Sequence, residues 1–124
     1  MARREGLYFF TGRVTEMIKT RGSNVAPPEV EAAIESLPGV QHAFVVGIPH
    51  PELEEQVAAV VVPRAGETLD VGAIREAAGK LLSPYKVPRV VLLMDEADVP
   101  WLATGKPDKR AMRPLLKKRA ADRP

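Results

Sequence analysis

Cysteine is absent from these 124 residues, which rules out a disulfide framework and any thiolate metal site. Histidine is nearly absent: His42 and His50 are too far apart in the chain to read as a ligand pair, and no metal site is expected. Rings are scarce too, at 5% of residues, so the core must be aliphatic, built from Val, Leu, Ile and Ala. Neither sign of charge dominates: 18 Lys and Arg stand against 16 Asp and Glu, a net +2. A nucleic-acid partner calls for a clustered basic face with stacking aromatics, and is therefore not expected. No apolar run approaches the ~20 residues that cross a bilayer. Arg3 and Arg4 are not followed by a long apolar stretch. The chain reads as lacking a signal peptide and a membrane span, and as cytoplasmic.

What is present suits one small domain over residues 1–124, with 45% hydrophobic residues to build a core. Residues 7–11, with Tyr8, Phe9 and Phe10, predict a short strand, and residues 14–19 a second, so the chain opens on a β-ribbon. Residues 20–24 have loop composition. Pro27 and Pro28 then open a helix, because the first turn has no N–H bond for proline to lose, and Glu29 suits the positive end of the dipole. Val30, Ile34 and Leu37 give one apolar stripe, ended by Pro38 and Gly39. Residues 40–48 read as a strand whose second half is apolar on both sides, which predicts a central place in a sheet. An acidic loop with Glu52, Glu54 and Glu55 leads to a further strand over 57–63.

Asp70 is placed to cap a helix carrying Val71, Ile74, Ala78 and Leu81 on one face. Ser83 and Pro84 stop it, and residues 90–94 form a third apolar strand. A loop rich in acid and proline follows. Asp108 then caps a last helix through Met112, Leu115 and Leu116, and the tail 119–124 is expected to fray. The sum is an α+β fold: a small three-stranded sheet with two helices packed on it and an N-terminal two-stranded ribbon.

The residues most suggestive of chemistry come late. Ala103, Thr104, Gly105, Lys106 and Pro107 are too polar for core. A lysine just after a glycine gives one ammonium a bare, mobile approach, suited to phosphate or carboxylate oxygens. An isolated Gly-Lys pair is most often only a turn. Here it is the last of several segments in order: Gly12 and Arg13; Met17, Ile18 and Lys19; Gly22 through Glu31; Val45 through Pro49; Tyr85 through Pro88; and then Thr104, Gly105 and Lys106. This string resembles the C-terminal (lid) domain of the adenylate-forming superfamily, from about residue 7 to residue 116. The form of residues 17–31 is most like an acyl-CoA synthetase, an acid–CoA ligase.

The resemblance implies a two-step reaction in which a carboxylate and ATP give acyl-adenylate, and coenzyme A then gives acyl-CoA and AMP. It implies that Lys106 bridges the oxygens that crowd together in the first step, a contact worth ~3–4 kcal/mol in the transition state. It implies that the domain swings between steps, and that the stretch from Gly12 to Gly22 then lines the path of the pantetheine arm. Gly22, Lys19 and Arg13 are the candidate coenzyme-side residues. Plain readings stand beside these: a turn needing positive φ for Gly22, a solvated edge-strand lysine for Lys19, and a structural tie for Arg13. Asn24 reads as a loop hydrogen bonder and Glu31 as an exposed helix residue. Lys86 and Arg89 read as solvated charges that could also approach coenzyme phosphates. Trp101 reads as a packing anchor. The basic run from Lys109 to Arg119 reads as a solvated helix face.

The family's hinge and large N-terminal domain are expected to be absent here, with Arg3 where the hinge acid would fall. That domain would hold ATP with its Mg²⁺ and the carboxylic acid substrate, so the chain alone is expected to be inactive and to bind no cofactor. The partner expected is the N-terminal domain of the same enzyme. Glu54 and Glu55 stand where relatives often carry Gly-Glu. Two other lids remain open, those of peptide-synthetase adenylation domains and of luciferase-like enzymes, as does a non-catalytic interaction module of the same fold.

Overall fold

The structure is a computed structural model that describes residues 17–20 and 22–121. The expected strand over 7–11, Gly12 and Arg13 lie outside the described residues. In chain order the elements are β1 (Ile18–Thr20), β2 (Ser23–Val25), α1 (Pro27–Glu35), β3 (Val40–His50), β4 (Glu54–Pro63), α2 (Val71–Gly79), β5 (Val90–Leu93) and α3 (Lys109–Ala121). Short 3₁₀ turns at Pro84–Lys86 and Glu96–Asp98 flank β5.

The predicted three-stranded sheet is there: β4 pairs antiparallel with β3 and parallel with β5. Of the expected ribbon, residues 7–16 lie outside the described residues, and what is described is a hairpin of β1 with β2. Ser23 and Asn24, read as loop, form β2 with Val25, and Thr20, also read as loop, pairs with Ser23, so a tight hairpin closes around Gly22. Gly22 sits at φ 78°, a conformation that residues with a Cβ avoid, and this permits the turn. Among the described residues the ribbon joins the sheet through one pair, Thr20 with Glu54. Glu54 and Glu55, expected in the loop, already belong to β4.

The centre of the sheet is β4, not β3. Among the described residues β3 pairs with β4 alone. The two-sided apolar run at 43–48 has another cause: helices cover both faces of the sheet. On one face α1 and α2 bring Val30, Ile34, Ile74 and Ala78 against Ala43, Val45, Val57, Ala59 and Val61. On the other, α3 brings Met112 and Leu116, one turn apart and fully buried, against Phe44, Val46, Ala58 and Val60. The last helix therefore makes a third layer where two helices on one sheet were expected. It runs through Ala121, beyond Arg119 where fraying was expected; residues 122–124 lie outside the described residues.

Burying so many β-branched side chains at roughly 1.5–3 kcal/mol each is the main driving force for this stack. The helix starts follow their sequence signals. Proline opens α1 without a side-chain cap, Asp70 accepts the Ala73 N–H at 2.9 Å, and Asp108 accepts the Ala111 N–H at 3.2 Å. Among the described residues no helix is long and apolar enough to cross a membrane.

Candidate functional site

Lys106 lies on an exposed loop between β5 and α3. Residues 102–106 are all exposed, and Gly105 turns the chain at φ 89°. Two short backbone bonds shape the tip: the Gly105 N–H donates to the Leu102 carbonyl at 2.9 Å, and the Leu102 N–H to the Lys106 carbonyl at 2.8 Å. At the root Trp101 and Pro107 form an antiparallel bridge, and the Asp108 N–H donates to the Pro100 carbonyl at 3.0 Å. Among the described residues the Lys106 ammonium makes no ion pair or hydrogen bond. It is therefore available to a group outside this set.

Lys19 is exposed on β1 opposite Asn24, and Gly22 is exposed at the hairpin tip. A Cβ on Gly22 would meet nothing within 4 Å, so among the described residues only its backbone angle demands glycine. The ribbon is held by the Lys19 N–H, which donates to Glu55 Oε1 at 2.9 Å. Ile18 lies close against Gly47, where an added Cβ would approach it to 3.0 Å. Ribbon and lysine loop are rooted at different points on β3. Trp101 stands against His42 and Phe44, whereas the ribbon meets Gly47 and the β3–β4 turn, about 10 Å or more further along at 3.4 Å per residue. The structure thus presents Lys106 as one feature, and Lys19 with Gly22 as another.

Several charged groups have duties that sequence reading missed. Glu31, expected on an exposed helix face, accepts the Val45 N–H at 2.8 Å and the Lys109 ammonium at 2.7 Å. Glu35 accepts the Ala43 N–H at 3.0 Å. These two carboxylates satisfy two N–H groups of β3 on a side where, among the described residues, no strand pairs with it. Lys109, read as part of a solvated face, joins α3 to α1 on that side. Lys86 bonds Glu29 at 2.9 Å, and that hydrogen bond holds its ammonium above the ordinary lysine value, with desolvation pulling the other way. An i, i+4 rule could not have shown these ties, because each spans elements distant in sequence.

A cleft of about 560 Å³ lies between the ribbon and the start of α3, lined in part by Ile18, Gly47, Glu55, Lys109, Arg110 and Arg113. Its cations are partly engaged: Lys109 pairs with Glu31, and Arg113 stands 4.0 Å from Glu55. Among the described residues no group of three or more His, Cys, Asp or Glu is placed to hold a metal.

Residues 29–106, well over half of the chain, match the family described as AMP-binding enzyme C-terminal domain. Over 98% of its length the chain is 36% identical to a medium/long-chain-fatty-acid–CoA/3-oxocholest-4-en-26-oate–CoA ligase of Mycobacterium marinum, of which it spans 22%. It is 35% identical over 92% of its length to a 3-hydroxybenzoate–CoA ligase of an Aromatoleum species, again spanning 22% of that protein. Among solved structures it is similar to apo MatB from Rhodopseudomonas palustris, with a TM-score of 0.78 and 35% identity over 85% of this chain and 21% of that one. The chain therefore spans about a fifth of the length of these relatives.

Proposed function

The chain belongs to the AMP-binding enzyme C-terminal domain family, and from that premise we propose that it is the mobile lid of an ATP-dependent acid–CoA ligase. Residues 1–124 act as one domain. The lid closes over an N-terminal domain of the same enzyme, which holds ATP, its Mg²⁺ and the carboxylic acid in the cytoplasm. Lys106 reaches across and neutralises oxygens as the carboxylate attacks the α-phosphate. Pyrophosphate leaves and acyl-adenylate forms. The lid then turns, and the ribbon with Lys19 and Gly22 borders the approach of the coenzyme A thiol; Arg13 belongs to the same proposed border. The thiol sulfur bonds to the acyl carbon, its proton is released, and AMP departs.

One observation carries this reading: the Lys106 ammonium stands on an exposed, glycine-turned loop with no partner among the described residues. An interaction module of the same fold would have no use for such a cation. The choice of acid falls to the N-terminal domain, since a fatty-acid ligase and a hydroxybenzoate ligase match this lid to nearly the same degree. Alone, the chain is inactive. The test is to supply an N-terminal domain without and with this chain and to follow AMP release from ATP, acid and coenzyme A. Release that depends on the chain supports the reading; release that is the same with and without it refutes it.

A further inference from the structure

Trp101 is the chain's single tryptophan, and the chemistry proposed above gives it no task. Its ring meets Phe44 edge to face, with centroids 5.7 Å apart and planes at 87°. It meets His42 likewise, at 6.2 Å and 78°. His42 and Phe44 stack on each other at 5.6 Å, so the three rings form one cluster on β3. The indole N–H donates to the Glu96 carbonyl at 3.2 Å. The ring is thus fixed to the sheet on one side and to the 3₁₀ turn Glu96–Asp98 on the other. Its own backbone bridges Pro107, the residue that follows Lys106.

We propose that Trp101 is a positioning residue for Lys106: the anchored indole fixes the root of the loop and so sets where the ammonium projects. Apart from the Asp108 N–H bond to the Pro100 carbonyl at the root, the loop has little else to hold it. Its tip is exposed, Gly105 adds backbone freedom, and its two internal bonds fix the shape of the tip but not its direction. A lysine side chain lengthens any wobble at its root, and a displacement of about 1 Å in a catalytic group can cost ~100-fold in rate. Edge-to-face aromatic packing with a satisfied indole N–H is the kind of contact that holds such a root in place.

The inference rests on the proposed role of Lys106, and two measurements keep the two apart. In the chain itself, Trp101→Ala should speed amide exchange at Leu102, Gly105 and Asp108 by about 10-fold or more while β4 amides keep their protection, and Trp101→Phe should restore most of it. Unchanged exchange at those three amides in Trp101→Ala overturns the anchoring. In the two-domain enzyme, Trp101→Ala should lower kcat for adenylation by about 10-fold or more, with KM for ATP within about 2-fold. Thioester formation from preformed acyl-adenylate should stay within about 2-fold, and Trp101→Phe should recover most of the adenylation rate. A general fold defect would slow both half-reactions alike, and that result overturns the positioning role. So does normal adenylation in Trp101→Ala when Lys106→Ala is impaired. Normal adenylation in Lys106→Ala removes the proposed function itself, and this inference with it.

Discussion

Replacing Glu31 by alanine removes two contacts at once. The carboxylate accepts the Val45 N–H at 2.8 Å and pairs with Lys109 at 2.7 Å. A hydrogen bond to a charged acceptor contributes about 1.5–3 kcal/mol, and deleting the acceptor leaves a part-buried donor unmet. The ion pair adds less. Its side chains are 19% exposed for Glu31 and 35% for Lys109, and such a pair near solvent contributes about 0.5 kcal/mol. The expected loss for Glu31→Ala is therefore about 2–3 kcal/mol. Glu31→Gln keeps an acceptor oxygen and should lose only about 1 kcal/mol, and Lys109→Ala about 0.5 kcal/mol.

Urea unfolding measures these losses as shifts of the midpoint at constant slope, with Glu31→Ala moving by about 1 M. A cycle with Lys109→Ala isolates the pair, whose coupling should be near 0.5 kcal/mol. Two results would refute the reasoning. In one, Glu31→Ala stays within about 0.5 kcal/mol of the parent, so the Val45 N–H never needed a partner. In the other, Glu31→Gln falls as far as Glu31→Ala, so charge rather than acceptance is what matters.

Other perturbations test separate joints. Glu54 is the one non-glycine residue at positive φ among those described, at 78°; Glu54→Gly should relieve strain and raise stability by about 0.5–1 kcal/mol in thermal melts, and a fall would contradict that. At Gly47 an added Cβ would approach Ile18 to 3.0 Å and Glu55 to 3.1 Å. Gly47→Ala should therefore displace the acceptor of the Lys19 N–H, cost about 1 kcal/mol, and speed amide exchange at Lys19 but not across β3 and β4. Lys86 is held above its ordinary value of 10.5 by Glu29. The folded state thus keeps that proton longer than the unfolded state, and the stabilisation is present below 10.5 and lost as pH rises through the higher folded value. Unfolding midpoints should fall across that alkaline range less steeply in Lys86→Met than in the parent, and equal slopes would contradict the tie.

Periodicity and capping signals were enough to place most elements. Asp70 and Asp108 cap where a carboxylate precedes an apolar stripe, because capping is local and needs only three residues of context. Strand β2 was missed because Ser23 and Asn24 have turn chemistry, and pairing with β1 overrides it. The position of β3 was misjudged for a related reason. A strand apolar on both faces signals cover above and below, and in this fold α1 and α3 give that cover to a strand that, among the described residues, pairs with β4 alone. At the site, Gly105 and Lys106 stood out as a polar loop and proved to be one. The tasks of Glu31 and Lys86 stayed hidden, since each depends on a partner more than a turn away that only the folded chain brings near; Trp101 was legible as a packing anchor, and it packs on His42 and Phe44.

The central claim is that one ammonium of this lid stabilises charge in adenylate formation, and single-turnover pyrophosphate release tests it most directly. In the two-domain enzyme Lys106→Ala should slow that release by about 100-fold or more, the loss of ~3–4 kcal/mol, while coenzyme A still reacts with preformed acyl-adenylate at near the parent rate. Pyrophosphate release at the parent rate in Lys106→Ala would contradict the claim.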